Sequence, residues 1–551
     1  MSEHEPPTGP LARLRAQLAG PRGYRRIDAL LSSDDAEAAV ASLAPNEVFE
    51  LVHEVGFEDA QDLIALATPT QIQGCFDLDA WNKDQLEVAP LKPWLAALLE
   101  CGFEKFGQVW SQLDVELRTL ILQREVKIYD TTLEEAPPED SEADIITTPD
   151  RWFLLELQGD DHEAHKLIMQ LVDDLYRADQ DLARHTIMAA RSEPTAQLEE
   201  MAYRWRSGRL ADLGYVDFYE ALDLFRPLDA DKVVIGEDSQ DRIGDDLATH
   251  VTLIVAQEVV GRNFLARAIG SISDTREAER IESALMVLVN KVLAAGRAKP
   301  GQAEVVKRGA LYATATLSLG LETVARGDIA RAQQALASIG LTRLFRVGYT
   351  VTAKLARLAQ ALAARSTTSG SPTRELVAAL CSPRPLYACV ADEPPGIGLR
   401  PFESLVDLRR TGELLTGLTV RVALVESLGV DVVAMGQAPE PRPSLDDHIR
   451  TALARVLIGG AFTGTALSQA ELTQLRARSM IAGKLVPGAR AMADDAIKSR
   501  LDAAQLTAST SVRGSLVDGW LADLEGILGG VKDAEIDPRF VEGVLVEIRR
   551  S

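Results

Sequence analysis

A repeated turn constrains this chain more than any other feature. Val55-Gly56-Phe57-Glu58 is answered 46 residues later by Cys101-Gly102-Phe103-Glu104. Each copy follows an apolar helical stretch: Val48, Phe49, Leu51, Val52 and Val55, then Trp94, Leu95, Leu98 and Cys101. Each also precedes one: Leu63, Ile64, Leu66 and Ala67, then Val109, Trp110 and Leu113. A fainter third copy is Leu213-Gly214-Tyr215-Val216-Asp217-Phe218. A glycine just past an apolar helix suits the left-handed backbone that closes helices, where a side chain would clash. The aromatic after it can fold back onto the last turn or the next helix. One helix pair cannot cover its own apolar face, so neighbours must stack, and a period of about 40–47 residues is that of helical-pair solenoids. Ordinary hairpins sharing a common turn would produce the same pattern. The expectation is an all-α fold, mainly helical with few short strands: an N-terminal helical-repeat superhelix followed by further helical domains.

Composition agrees with helices. Hydrophobic residues make up 46% of the 551 but aromatics only 5%, and Ala and Leu dominate; both lose little entropy in a helix. The formal net charge of −24 argues against a nucleic-acid groove, which needs clustered Lys and Arg, and against docking on anionic lipid. No stretch approaches the ~20 apolar residues of a membrane span: runs near Leu253–Ala256 and Ala284–Val289 are broken by Gln257 and by Asn290-Lys291. Met1-Ser-Glu-His-Glu-Pro-Pro lacks the basic start and apolar core of a signal peptide. The four cysteines, Cys75, Cys101, Cys381 and Cys389, form no CxxC pair. A reduced, cytoplasmic protein is the expectation, with no membrane insertion and no nucleic-acid partner.

Composition shifts suggest boundaries. Residues 1–26 read as a flexible tail with a short helix at Leu11–Leu18, and 27–130 as the helical-repeat domain, expected to fold as an isolated fragment. Residues 131–149 read as an acidic linker, since 131–144 hold six acids, two prolines and no base. A central helical domain covers 150–370 and a C-terminal helical domain 371–551. Short strands are expected near Trp152–Leu157 and Leu386–Val390, and long helices at Leu247–Ala268, Arg276–Ala295, Ala303–Arg326, Ser404–Gly429, Leu445–Gly459, Ser468–Leu485 and Pro538–Arg550. Ser32-Ser33-Asp34-Asp35 reads as a helix cap, and Pro45, Pro69, Pro90 and Pro93 as helix starts.

Arg204-Trp205-Arg206-Ser-Gly-Arg209-Leu-Ala-Asp212-Leu-Gly214-Tyr215, with Leu344-Phe345-Arg346-Val347-Gly348 and Arg400-Pro401-Phe402, resembles an uncharacterised bacterial family, a domain of unknown function. That resemblance covers most of the chain and implies no reaction, ligand or partner. The first 130 residues also resemble, in pattern and length, the cytosolic helical domain that precedes the membrane part of bacterial magnesium transporters. Ion transport does not carry over without the membrane part.

Few constellations suggest chemistry. His162 and His165 lie three apart on one helical face, beside Asp160, Asp161 and Glu163. Two histidines and a carboxylate can bind zinc, but the spacing is not HExxH, and a solvated helix start explains the residues equally well. Asp173, Asp174, Asp179 and Asp181 match no metal loop. Neither GxxxxGK[ST], GxGxxG between strand and helix, nor GxSxG is present. The best binding candidate is Arg204, Trp205, Arg206 and Arg209, where guanidinium groups beside an indole could hold a carboxylate, a phosphate or an acidic peptide. A network bracing a helix junction is the plainer account. It would pair Glu199 and Glu200 with the arginines and bury Trp205. The expected function is a non-enzymatic cytoplasmic interaction or scaffold protein using helical-repeat surfaces, with an unknown protein partner and no cofactor or metal. The alternative is an enzyme of unfamiliar type or a small-ligand sensor, with its site around Arg204–Arg209.

Overall fold

The computed structural model describes residues 23–82, 84–138, 143–213, 215–216, 218–236, 263–272, 274–296, 303–439, 441–481, 483–529 and 541–547. The fold is mainly helical, and no strand among the described residues exceeds five residues. The chain divides into two compact units, 1–347 and 348–551.

The first unit opens with helices α1 (Tyr24–Leu31), α2 (Ala36–Ala41), α3 (Pro45–Val55), α4 (Gln61–Leu66) and α5 (Pro69–Asp79). A two-residue hairpin, β1 (Trp81–Asn82) and β2 (Gln85–Leu86), leads to α6 (Lys92–Glu100), α7 (Phe103–Gln112) and α8 (Val115–Glu125). Local chemistry sets these boundaries. Asp35 accepts the Ala38 N–H at the start of α2, and proline stands at the first position of α3 and α5, where its missing N–H costs nothing. Thr68 and Gln71 close a reciprocal capping box on α5.

Adding 46 to the bounds of α5 yields those of α8, and α3 shifted likewise overlies α6. The duplicated pattern therefore extends to a third helix per copy. Both turn glycines have positive φ, and their dihedrals nearly coincide: 93° and 156° at Gly56, 95° and 159° at Gly102. The extended ψ is a correction to the left-handed helical position expected, and it belongs to a region essentially reserved for glycine. Each glycine carbonyl then accepts the N–H four residues on, Ala60 in one copy and Phe106 in the other, so the next helix starts at the turn. Phe57 folds back as expected, edge-on to Trp94 at 4.9 Å and to His53 at 5.8 Å. Its counterpart Phe103 is exposed. In the third copy, Gly214 and Asp217 lie outside the described residues.

Residue 130 is no boundary for the core. A three-stranded antiparallel sheet follows, with β5 (Phe153–Leu157) between β3 (Val126–Asp130) and β4 (Ile145–Thr147). Its central strand is the one expected from alternation, while β3 ends just before the expected acidic linker of 131–149 and β4 falls inside it. Then come α9 (His162–Ala178), α10 (Gln180–Ser192) and α11 (Thr195–Asp212). α9 packs on α6 and α7, and α10 and α11 both pack on α8. One apolar cluster runs from Ile27 to Leu210, so the second helical copy buries its outer side under later elements. The unit continues through α12 (Phe218–Leu222), α13 (Phe264–Gly270), α14 (Thr275–Ala295), α15 (Ala303–Ala325), α16 (Ile329–Ser338) and α17 (Leu341–Leu362), within which the division falls. Residues 247–262 of the long helix expected at Leu247–Ala268, and Leu11–Leu18, lie outside the described residues.

The second unit contains α18 (Ser371–Leu380), the hairpin β6 (Tyr387–Ala388) and β7 (Leu399–Arg400), α19 (Leu405–Ser427), α20 (Val432–Gln437) and α21 (Leu445–Leu457). α22 (Gln469–Ser479) then precedes a hairpin, β8 (Met480–Ile481) and β9 (Lys484–Leu485), followed by α23 (Ala489–Ala503) and α24 (Thr510–Gly529). The helix expected over Ser468–Leu485 thus ends at Ser479, where the chain extends and turns at Gly483, φ 79°. Residues 541–547, expected to be helical, instead run alongside Leu467, whose N–H and C=O bond the Leu545 C=O and the Glu547 N–H. That pairing occupies the backbone groups a helix would need.

Candidate functional site

Leu198, Ala202, Arg206, Arg209 and Leu210 share the inward face of α11 at helical spacing. Leu198, Ala202 and Leu210 are buried. The two arginines occupy that face because a buried carboxylate lies opposite. Asp77, in the last turn of α5, is only 1% exposed. Arg209 donates to its two oxygens at 2.6 and 3.0 Å, and to those of Asp114, just before α8, at 2.6 and 3.1 Å. Gln73 completes the cluster: its amide nitrogen is 3.3 Å from an Asp77 oxygen, and its carbonyl accepts the Asp114 N–H at 3.0 Å. Arg206 donates to the Asp77 backbone oxygen at 2.8 Å and lies over the rings of Trp81, at 5.5 Å, and Tyr203, at 5.9 Å.

Opposed effects meet in this cluster. Burial pushes the Asp77 carboxyl up, while Arg209 pulls it down. Burial also works against the Arg209 charge, but the two carboxylates outweigh it and hold the guanidinium above its ordinary range. The net effect of burial is to raise the Asp77 carboxyl above its ordinary range, although both its oxygens face Arg209 N–H donors. Burial lowers Arg206, with Asp77 opposing. Chemically the arrangement is a clamp: one planar guanidinium joins the end of α5, the start of α8 and the face of α11.

The candidate residues therefore separate. Arg206 and Arg209 point inward. Arg204 and Trp205 lie on the outer face, with Trp205 53% exposed rather than buried. Met201, one turn before Trp205, is exposed beside it, and Arg204 has no ion-pair partner among the described residues. Glu199 pairs with Arg124 rather than with an arginine of its own helix. The bracing partners come instead from Asp77 and Asp114.

Elsewhere, a cleft of about 550 Å³ opens beside the second repeat turn, lined by Gly102, Phe103, Met169 and charges of both signs, among them Lys166, Asp173 and Arg177. Asp174 pairs with Arg177, and Asp179 caps α10, so those aspartates have structural partners. His162 and His165 are joined by Asp144, a residue the sequence offered no reason to connect with them.

A second polar cluster, in the second unit, escaped the sequence reading. Arg400 pairs in bidentate fashion with the buried Asp407, at 2.8 Å to each oxygen, and stacks 4.3 Å over the Tyr387 ring. Tyr387 donates its hydroxyl to Asp392 at 2.8 Å, and Arg410 meets the same carboxylate at 2.9 Å. Burial, with the Asp392 bond, pushes the Tyr387 hydroxyl up to about 12. The available signal was the alternation of Arg400, Glu403, Asp407 and Arg410 at spacings of three and four.

No curated protein and no solved structure matches the chain, so the likeness of the first 130 residues to the magnesium-transporter domain is not shown. One family model, described as a family of unknown function, matches residues 4–547. With nearly its whole length covered, the chain belongs to that family, DUF6178.

Proposed function

We propose that the protein is a non-enzymatic cytoplasmic interaction protein whose contact surface is the outer face of α11, built from Met201, Arg204 and Trp205. One observation supports this reading above others. α11 is anchored from within by Arg206 and Arg209, yet presents outward a large indole and, in Arg204, an exposed guanidinium without an ion-pair partner among the described residues. Trp and Arg on a rigid element are the residue types that dominate protein–protein hot spots. A partner fitting this face offers an apolar pocket for Trp205 and a carboxylate for Arg204. The helical copies supply the rigid support, and the net charge of −24 disfavours nucleic acid as that partner. No helix among the described residues is long and apolar enough to cross a membrane. The alternative of an enzyme or ligand sensor around Arg204–Arg209 has less support, because the Arg209 donors are directed at Asp77 and Asp114.

The test is affinity purification from the native cell with quantitative mass spectrometry, comparing wild type, Trp205→Ala and Arg204→Ala. A stoichiometric protein partner, depleted at least tenfold by either substitution while melting temperature is unchanged, is the expected result. Identical recovery with all three proteins, or a co-purifying metabolite without a protein partner, overturns the reading.

A further inference from the structure

Asp144, His162 and His165 come together from two elements. The Asp144 carbonyl accepts the Leu157 N–H at 2.9 Å, which holds this residue against the end of β5 just ahead of β4. The histidines stand in the first turn of α9, whose start is capped by Asp161 through the N–H groups of Glu163 and Ala164. His165 is 7% exposed. Its Nε2 lies 3.0 Å from the Gly159 carbonyl oxygen, and its Nδ1 lies 2.9 Å from Oδ2 of Asp144.

These two contacts make a chemical demand. A carbonyl oxygen only accepts, so Nε2 must carry hydrogen and donate to Gly159. A neutral imidazole has one N–H, which leaves the Nδ1 lone pair facing a carboxylate oxygen, acceptor against acceptor. A second ring proton would resolve the conflict, and so would a cation bound by both atoms. His162 favours the cation. Its Nδ1 is 3.9 Å from the same Asp144 oxygen, and one donor atom from each of the three residues falls within 4.8 Å of the others. Ligands about 2.0–2.1 Å from a tetrahedral ion stand roughly 3.4 Å apart, between the 2.9 and 3.9 Å found here. His162 and Asp144, with side chains 84% and 59% exposed, have room to move so that all three donor atoms, now within 4.8 Å of one another, reach that spacing. An imidazole whose far nitrogen donates to a backbone carbonyl is also the arrangement that orients metal-ligating histidines.

We propose that Asp144, His162 and His165 bind one divalent transition-metal ion of the zinc class, with water in the remaining exposed position. Two imidazoles and a carboxylate select zinc-like ions over Mg²⁺ or Ca²⁺, which take oxygen ligands. The ion clips the segment ahead of β4 to the first turn of α9.

The test uses the full-length protein, stripped with a chelator and titrated with Zn²⁺ by calorimetry at pH 7.5. Co²⁺ serves as a visible-absorbance probe of coordination. One high-affinity site is expected, with nitrogen-ligated, four-coordinate Co²⁺ absorption. His165→Gln and Asp144→Ala should abolish it, and His162→Ala should weaken it at least tenfold. The His162 substitution is at a side chain that is 84% exposed, so a folding defect does not confound it. Absence of Zn²⁺ binding by wild type overturns the proposal and leaves the doubly protonated imidazole as the answer. Binding that is unchanged in both His162→Ala and Asp144→Ala also overturns it, by locating the ion elsewhere on the chain.

Discussion

At the scale of single residues, the behaviour of α11 depends on which way each arginine points. Arg209 pairs with a carboxylate that is 1% exposed, so Arg209→Met leaves Asp77 buried without its ion-pair partner. Breaking a buried pair from one side costs about 3–5 kcal/mol, measurable as a lowered denaturation midpoint. Combining it with Asp77→Asn should recover part of that loss, because the unpaired carboxyl is then gone. Trp205→Ala, on the outer face, should change stability by less than about 1 kcal/mol, as surface substitutions do. Asp150 offers a pH readout. Burial alone would raise its carboxyl, but Arg184 at 2.7 Å, the Trp152 N–H and the Thr148 hydroxyl outweigh burial and hold it below its ordinary range. A folded value below the unfolded one stabilises above the unfolded pKa of about 3.9, and that contribution disappears as pH falls through the folded value. Asp150→Asn should therefore be less stable than wild type at neutral pH, with the two denaturation midpoints converging below about pH 4.

At the scale of elements, the two turn glycines isolate a backbone effect. A β-carbon at Gly56 or Gly102 would meet nothing within 4 Å, so substitution introduces no clash. What it introduces is a side chain at φ near +94° with extended ψ, a conformation that costs on the order of 1–3 kcal/mol away from glycine. Gly56→Val and Gly102→Val should each lower the melting transition by an amount in this range. Either variant melting like wild type would show that the turn relaxes into another conformation. The helices themselves were largely legible. Asp35, Ser444 and Pro69 announce their helix starts through hydrogen bonds or fixed φ within a few residues. The hairpin after Ser479 and the extended 541–547 segment were not legible, because their pairing partners lie outside any local window.

At the scale of the whole molecule, the core decides what can fold alone. Leu117, Leu120, Ile121 and Leu122 of α8 are buried, and α8 is covered by α10 and α11. A fragment of residues 27–130 lacks that cover, so it should give a broad thermal transition and bind a hydrophobic dye. Residues 1–347, one compact unit, should melt cooperatively. A sharp transition in the shorter fragment would show that its own helices suffice, as the repeat pattern alone suggested.

The helical character, most helix boundaries and the duplicated turn follow from the residue order alone. Periodicity, caps and glycine preferences act among residues within about four positions of one another, so a linear reading captures them. The remaining features depend on which distant segments pack together. Arg206 and Arg209 meet Asp77 across 129 and 132 residues, Arg209 meets Asp114 across 95, and Asp144 reaches His165 across 21. Glu199 and Glu200 were the near candidates for those arginines, but Glu199 pairs with Arg124 and Arg209 with Asp77 and Asp114. The physical reason is desolvation. An arginine driven into a packed junction must find a carboxylate on whatever element arrives opposite it, and the packing of α5, α8 and α11 chooses that element.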